Sequence, residues 1–154
     1  MTKSIQHAII IGATGLVGRS LVQQLNQCVD CEKITVLLRR HEVMFESLDK
    51  VKQVVLHDFL QLDRSQVEGY SHAFSCLGTT MAKAGSKTAF YHSDYEVNAH
   101  FAALLQTDTH YLLVSAMAAD LNSRFFYNRV KGELEAFVRN LDLKCFGIKC
   151  DSLV

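Results

Sequence analysis

The 154-residue sequence contains no proline, although about seven or eight would be usual for a chain of this length. It also has no net charge, because sixteen basic residues balance sixteen acidic ones. That balance excludes bulk electrostatic attraction to nucleic acid or to an anionic membrane surface. No apolar run approaches the ~20 residues that cross a bilayer. The segment from Met1 to His7 does not resemble a secretion signal. We therefore expect neither nucleic acid nor a membrane as a partner.

A framework of disulfides is also unexpected. The chain has an odd number of cysteines and no recognisable export signal, so we expect reduced thiols and a cytoplasmic protein. Cys28 and Cys31 form a Cys-x-x-Cys pair, but a zinc site needs two further ligands at sensible spacing and none is nearby. We therefore predict no metal site.

The composition and patterning indicate one α/β domain over residues 1–154. Apolar residues make up 49% of the chain and charged residues 21%, which is typical of a globular domain with a real core. Short apolar runs alternate with helical patterns, as in a doubly wound parallel sheet of the Rossmann-like kind, with three αβα layers. The predicted strands are Ile5–Ile11, Lys33–Leu38, Val51–Leu56, Ser71–Cys76, Thr109–Ser115 and Leu143–Lys149. Apolar residues at helical spacing predict helices over Val17–Cys28, after a Ser86 cap as far as Leu104, and over Phe126–Leu141.

A glycine turn joins the first strand to the first helix. Gly12, Gly15 and Gly18 have the spacing Gly-x-x-Gly-x-x-Gly. Such a turn permits a tight bend, lets a pyrophosphate approach the backbone, and leaves the N–H groups of a helix N-terminus for the phosphates. We therefore predict a dinucleotide site that includes Thr14, Leu16 and Val17 of the same turn. The alternative is a structural turn that binds no ligand.

The residues that follow strands two to four suggest which dinucleotide binds. NAD-binding domains place an acidic residue at the end of strand two, whereas this chain has Arg39 and Arg40 there. Guanidinium groups suit a 2′-phosphate, so we predict NADP(H) in preference to NAD(H). The alternative is a pair of solvated arginines. Asp58 is expected near the adenine, and the segment Leu77, Gly78, Thr79 is expected beside the ribose and nicotinamide.

Three residues near the end of the sequence suggest acid–base chemistry. Tyr127 and Lys131 lie four residues apart, on one face of a helix, and Ser115 ends the fifth strand. A nearby ammonium lowers the pKa of a tyrosine, and a serine hydroxyl can donate a hydrogen bond to a substrate oxygen. We therefore predict catalytic roles for Ser115, Tyr127 and Lys131, with Lys131 also holding the nicotinamide ribose.

With these motifs the sequence resembles the atypical short-chain dehydrogenases/reductases, the group of Tat-interacting-protein oxidoreductase-like and NmrA-like proteins. The resemblance runs from Ile9 to about Leu141 and is most specific around Ser115 and Tyr127. It implies a Rossmann-like fold, NADP(H) binding and a Ser–Tyr–Lys site. Better-known members add an asparagine on the helix before strand five, and either Asp94 or Asn98 could fall near that place.

The resemblance weakens near the C-terminus. Family members usually continue past strand six and have Arg-Pro-Ser at its end, where this chain has Lys149-Cys150-Asp151. A truncated chain, a divergent C-terminus and a change of reading frame all remain open. We expect an NADP(H)-dependent oxidoreductase acting on an unknown small carbonyl compound or alcohol. The alternative is a non-catalytic NADP(H)-sensing regulatory protein, and the sequence leaves a homodimer open.

Overall fold

A computed structural model of the chain describes residues 4–143 and the backbone of residues 145–151. Its strands are β1 His7–Ile11, β2 Lys33–Leu38, β3 Val51–Val55, β4 His72–Ser75, β5 His110–Ala116 and β6 Cys145–Asp151. Its α-helices are α1 Leu16–Gln27, α2 Arg64–Val67, α3 Met81–Ala84, α4 Lys87–Tyr91, α5 Val97–Leu104 and α6 Phe126–Arg139. A π-helical segment, His92–Glu96, joins α4 to α5, and 3-10 turns occupy Val43–Phe45 and Phe59–Gln61.

The six strands form one sheet in the order β3-β2-β1-β4-β5-β6, and every neighbouring pair is parallel. This order confirms the predicted doubly wound sheet. The direction of strand succession reverses between β1 and β4. In such sheets ligands bind outside the carboxyl ends of the strands at that point. Ile11, at the end of β1, pairs with Leu37 of β2 and with Ser75 of β4.

Strands β1, β2 and β4 are largely buried on both faces, which explains why the sequences of β1 and β2 are nearly continuous apolar runs. Alternate residues of β1 point to opposite faces. Ile9 and Ile11 belong to the apolar cluster that includes Phe101 of α5 and Leu134 of α6. Ala8 and Ile10 belong to the opposite cluster, which includes Val22 of α1. The predicted three-layer arrangement is therefore confirmed.

Observed element ends lie within one or two residues of the predicted ones, except in the long helix after Ser86. Ser86 caps that helix as predicted, since its hydroxyl accepts a hydrogen bond from the Ala89 N–H at 3.1 Å. The helix is not regular, however, because His92–Glu96 form a π turn. Asp94, in that turn, is fully buried and bonded outside the helix. These hydrogen bonds outside the helix offset the loss of regular helical hydrogen bonds. The spacing of apolar residues in the sequence does not indicate them, so the π turn was not predicted.

None of the helices in the described part of the chain combines the length and the apolar character that a membrane span requires.

Candidate functional site

The glycine turn packs directly against the loop that follows β4. Gly12 has a φ of 80°, a left-handed conformation that favours glycine. A Cβ atom on Gly12 would lie 2.6 Å from the Cα atom of Leu77. Only a residue without a side chain therefore lets the ends of β1 and β4 come this close.

Gly15 and Gly18 differ in what surrounds them. A Cβ on Gly18 would lie 2.8 Å from the Cα atom of Ala13, so the first turn of α1 packs tightly against the glycine turn. A Cβ on Gly15 would meet only the Gly12 carbonyl oxygen, at 3.8 Å, among the described residues. Gly15 is also the N-cap of α1 and has no capping side-chain hydrogen bond in the described structure. At Gly15 the N–H groups at the N-terminus of α1 therefore lie next to open space, and this arrangement suits a phosphate.

Two adjoining cavities run along the carboxyl ends of β1 to β4. The first, of about 500 Å³, brings together predicted cofactor residues from four loops: Gly12, Thr14, Gly15, Arg39, Asp58, Leu77, Gly78 and Thr79. The second, of about 370 Å³, shares Arg39 with the first and adds Arg40 and Glu42. Gly18 lines neither of these cavities, because it is buried behind the turn.

The two arginines after β2 have different side-chain partners. The Arg39 guanidinium lies 5.9 Å from the centroid of the Phe59 ring, and Arg39 lines both cavities. The side chain of Arg40 is 86% exposed, and its Nε donates to the Glu42 carboxylate at 3.1 Å. Asp58 accepts a hydrogen bond from the Leu60 N–H at 2.9 Å and so caps the turn that carries Phe59.

A third cavity, of about 320 Å³, brings the three predicted catalytic residues together. Ser115 comes from β5, while Tyr127 and Lys131 come from the first half of α6. Leu16, Val17 and the Leu77–Thr79 loop also line this cavity, so it continues directly from the glycine turn. The ammonium of Lys131 lies 5.6 Å from the centroid of the Tyr127 ring.

The Ser115 hydroxyl is an unusual polar group. Ser115 is only 3% exposed, and its Oγ atom has no hydrogen-bond partner among the residues that the structure describes. A buried polar group without a partner is unfavourable by about 1–3 kcal/mol. An oxygen bound in the adjacent cavity would supply the missing partner.

Asp94 and Asn98, which the sequence did not distinguish, have different partners. Asp94 accepts a hydrogen bond from the Thr79 N–H at 2.9 Å, and its carboxylate lies 3.4 Å from Lys131 Nζ. Asn98 donates to the carbonyl oxygens of Leu77 and Asp94, each at 3.2 Å, and pairs with the Ser75 hydroxyl. Burial raises the pKa of Asp94, while the Lys131 charge and the Thr79 N–H act in the opposite direction. Asp94 therefore contacts Lys131, which lines the third cavity, whereas Asn98 holds the loop after β4.

Sequence reasoning also missed a close contact between α6 and the chain that precedes it. A Cβ on Gly132 would lie 2.5 Å from the carbonyl carbon of Asp120, so the chain between β5 and α6 lies directly on α6. The Asp120 N–H donates to the Asn128 carbonyl oxygen at 3.0 Å in the same contact. The only available signal was a lone glycine within a helical pattern, which often has a packing reason.

Two further residues line the first and third cavities together, namely Cys76 and Lys83. Burial raises the pKa of the Cys76 thiol to about 11, so at neutral pH it is protonated and a poor nucleophile. No group of three or more metal-ligating side chains occurs within the described part of the chain.

Known families and proteins match most of this chain. The family described as semialdehyde dehydrogenase, NAD binding domain, matches residues 7–111. The chain is 36% identical over 131 residues to Protein FMP52, mitochondrial, of Candida albicans, covering 82% of this chain and 57% of that protein. It is also 36% identical over 138 residues to Protein HTATIP2 of Rattus norvegicus, covering 86% of this chain and 56% of that protein. The chain thus spans less than two thirds of the length of these relatives.

Solved structures with the same fold include enzymes. A short-chain dehydrogenase/reductase from Burkholderia vietnamiensis aligns with a TM-score of 0.63 and 20% identity, covering 96% of this chain and 83% of that one. A UDP-glucuronic acid 4-epimerase from Bacillus cereus, in complex with NAD, aligns with a TM-score of 0.74 and 11% identity, covering 94% and 56%. At such identities the likeness shows the fold alone.

The prediction of a cytoplasmic protein is wrong. Relatives from Candida albicans and Saccharomyces cerevisiae, at 36% and 32% identity, are named mitochondrial proteins. The prediction rested on reduced thiols and on the lack of a secretion signal. Neither property distinguishes the cytosol from a mitochondrial compartment.

The matched family and the relatives agree with the fold, whose sheet order and glycine turn are those of an NAD(P)-binding Rossmann domain. The chain therefore belongs to the semialdehyde dehydrogenase NAD-binding domain family, and its similarity to HTATIP2 agrees with the predicted resemblance to the Tat-interacting-protein oxidoreductase-like group.

Proposed function

We propose that this chain is an NADP(H)-dependent oxidoreductase that interconverts a small carbonyl compound and its alcohol. One observation carries the proposal: the Ser115 hydroxyl is buried and has no partner among the described residues, in the cavity that also contains Tyr127 and Lys131. An unpartnered hydroxyl beside a tyrosine and an ammonium suits a substrate oxygen that gains or loses a proton.

The residues along the strand ends fit a dinucleotide. The open space at Gly15 and the N-terminus of α1 would take the pyrophosphate, and Arg39 with Phe59 would flank the adenosine. Residues 1–154 would act together as a single nucleotide-binding domain. A bound nicotinamide dinucleotide supplies or accepts the hydride.

The preference for NADP(H) is supported by charge. Arg39 and Arg40 line the cavity after β2, and guanidinium groups bind phosphate through strong, charge-assisted hydrogen bonds. Glu42 already neutralises part of the Arg40 charge through their ion pair. Arg39, whose guanidinium has no carboxylate partner among the described residues, therefore carries most of this preference.

Three side chains would perform the acid–base work. Ser115 would donate its hydroxyl hydrogen bond to the substrate oxygen and so orient it. Tyr127 would give a proton to that oxygen in reduction and take it back in oxidation. Lys131 would stabilise the Tyr127 phenolate, because a positive charge nearby lowers the pKa of a tyrosine.

Replacement of Tyr127 by phenylalanine tests this proposal. Tyr127→Phe removes the hydroxyl and keeps the ring, which packs 5.3 Å from the Phe90 ring. We expect NADPH affinity within about threefold of the unmodified chain and turnover lower by at least about 100-fold, the usual contribution of a general acid–base group. The measurements are NADPH fluorescence titration and a spectrophotometric assay over a panel of aldehydes and ketones. Full activity in this variant would contradict the assignment.

Tight NADPH binding without turnover of any compound in the panel would instead favour a nucleotide-sensing regulatory protein. Phe125→Ala is the matched control, since this neighbouring aromatic side chain is 72% exposed and lies outside the cavity lining.

A further inference from the structure

A buried ion pair joins the π-helical segment to helix α6. The Asp94 carboxylate lies 3.4 Å from Lys131 Nζ and accepts the Thr79 N–H through both oxygens, at 2.9 and 3.2 Å. Asp94 is fully buried, and the side chain of Lys131 is 6% exposed. An ion pair so far from water is not a solvated surface contact, and removing one partner would leave the other charge buried alone.

The loop after β4 is shaped around this pair. A Cβ on Gly78 would lie 3.2 Å from Lys131 Nζ and 3.4 Å from the nearer Asp94 oxygen. Asn98 holds the same loop, since its amide donates to the carbonyl oxygens of Leu77 and Asp94. The position of the Lys131 ammonium is therefore determined by a carboxylate, a backbone loop and the absence of a side chain at residue 78.

Lys131 interacts with two neighbouring side chains. Its ammonium contacts the Asp94 carboxylate on one side and lies 5.6 Å from the Tyr127 ring on the other. The positive charge favours the Tyr127 phenolate, whereas the negative charge of Asp94 disfavours it. The other ionisable groups that line the same cavity are Cys76 and Lys83. Asp94 lies against the ammonium that approaches the Tyr127 ring, so a change in the charge of Asp94 changes the electrostatic potential at Tyr127.

We propose that Asp94 is a positioning residue, which holds the Lys131 ammonium against the Leu77–Thr79 loop and raises the pH at which Tyr127 gives up its proton. This inference rests on the acid–base role proposed above for Tyr127. Asp94 does not line the catalytic cavity, so it acts through Lys131 rather than by touching substrate.

The test replaces the charge and keeps the shape. Asp94→Asn retains an oxygen that can accept from Thr79 and Lys131 but carries no charge. The alcohol-oxidation rate should rise with pH, and we expect the midpoint of that rise to lie roughly 0.5 to 1 pH unit lower in Asp94→Asn. This is the effect of removing one nearby negative charge. Asp30→Asn, a change of the same kind at an exposed position, is the matched control and should leave the pH profile unchanged.

A second readout does not need turnover. The near-ultraviolet absorbance of tyrosinate, measured against pH with and without Tyr127→Phe, reports the ionisation of Tyr127 alone. It separates the two proposals, because absent turnover would contradict the proposed enzyme while a shifted Tyr127 titration would still support the role of Asp94. Asp94→Ser, which leaves room for a water molecule, repeats the test with a smaller neutral residue if Asp94→Asn does not fold.

The expected result is a shift of the Tyr127 titration to lower pH in whichever neutral variant folds. An unchanged titration, with loss of stability only, would overturn the inference and make Asp94 a purely structural residue. A shift to higher pH would also overturn it, because Lys131 would then have moved away from Tyr127.

Discussion

Gly12 lies against the backbone of Leu77, so closely that a Cβ atom would come within 2.6 Å of the Leu77 Cα atom. This contact joins the turn after β1 to the loop after β4, and it places both at the point where strand succession reverses. The two segments line the same cavities. The geometry of the nucleotide site therefore depends on a residue that has no side chain.

Replacing Gly12 by alanine should destabilise the fold strongly. Gly69 supplies a matched comparison, because it has nearly the same left-handed φ, 84° against 80°, but nothing within 4 Å of its Cβ position among the described residues. Gly69→Ala should lower the free energy of unfolding by about 1–2 kcal/mol, the cost of the conformation alone. Gly12→Ala should lower it by at least about 2 kcal/mol more, since backbone atoms must move apart. Urea denaturation measures both, and equal losses would contradict this account of the Gly12–Leu77 contact.

Replacing Gly15 by alanine should separate binding from stability. Its Cβ meets only one atom of the described structure, at 3.8 Å, so we expect the free energy of unfolding to change by less than about 1 kcal/mol. The same methyl group would occupy the space in which a pyrophosphate approaches the helix N-terminus. We expect the affinity for NADPH to fall by about tenfold or more, which is roughly 1.4 kcal/mol. Unchanged affinity in a stable Gly15→Ala variant would mean that the phosphates bind elsewhere.

The Cys76 thiol should react slowly with alkylating reagents in the folded protein. Burial raises its pKa from 9.0 to about 11, which lowers the thiolate fraction about 100-fold near pH 8, while the greater nucleophilicity of a more basic thiolate recovers part of this. We expect alkylation of native Cys76 to be roughly tenfold slower than in the urea-unfolded chain. Mass spectrometry of the alkylated peptides measures the rate at each cysteine.

The same shift affects stability at alkaline pH. The folded-state pKa of Cys76 is raised, so its contribution to stability is fully present below pH 9.0 and is lost as pH rises towards about 11. Cys76→Ala should therefore flatten the alkaline decline in the free energy of unfolding. Equal alkylation rates in native and unfolded protein, or an unchanged decline in Cys76→Ala, would contradict the burial of this thiol.

Features encoded within short stretches could be predicted from the sequence. The apolar run of β1, the glycine spacing and the periodicity of α1 are contiguous, so the turn and the sheet around it followed from local pattern. Ser115, Tyr127 and Lys131 could be assigned to one site because parallel strands and their helices deliver such residues to the same edge of a sheet.

Features that depend on distant contacts could not be predicted. Asp94 and Lys131 lie 37 positions apart, and nothing near Asp94 in the sequence indicates that a π turn buries it beside that lysine. The contact of Gly132 with the chain at Asp120 likewise exists only after α6 has packed. The ion pair between Arg40 and Glu42 was local but was missed, because the acidic residue follows the arginines instead of replacing one.

A fluorescence titration of the purified chain with NADPH, compared with NADH, tests the central claim most directly. We expect saturable binding of both, with NADPH tighter by about tenfold or more, as for one additional charge-assisted phosphate contact. Arg39→Ala should remove most of that difference, while Arg64→Ala, an exposed arginine on α2, should not change it. Tighter binding of NADH would contradict the assigned roles of Arg39 and Arg40. Binding of neither dinucleotide by a folded chain would contradict the proposed oxidoreductase itself.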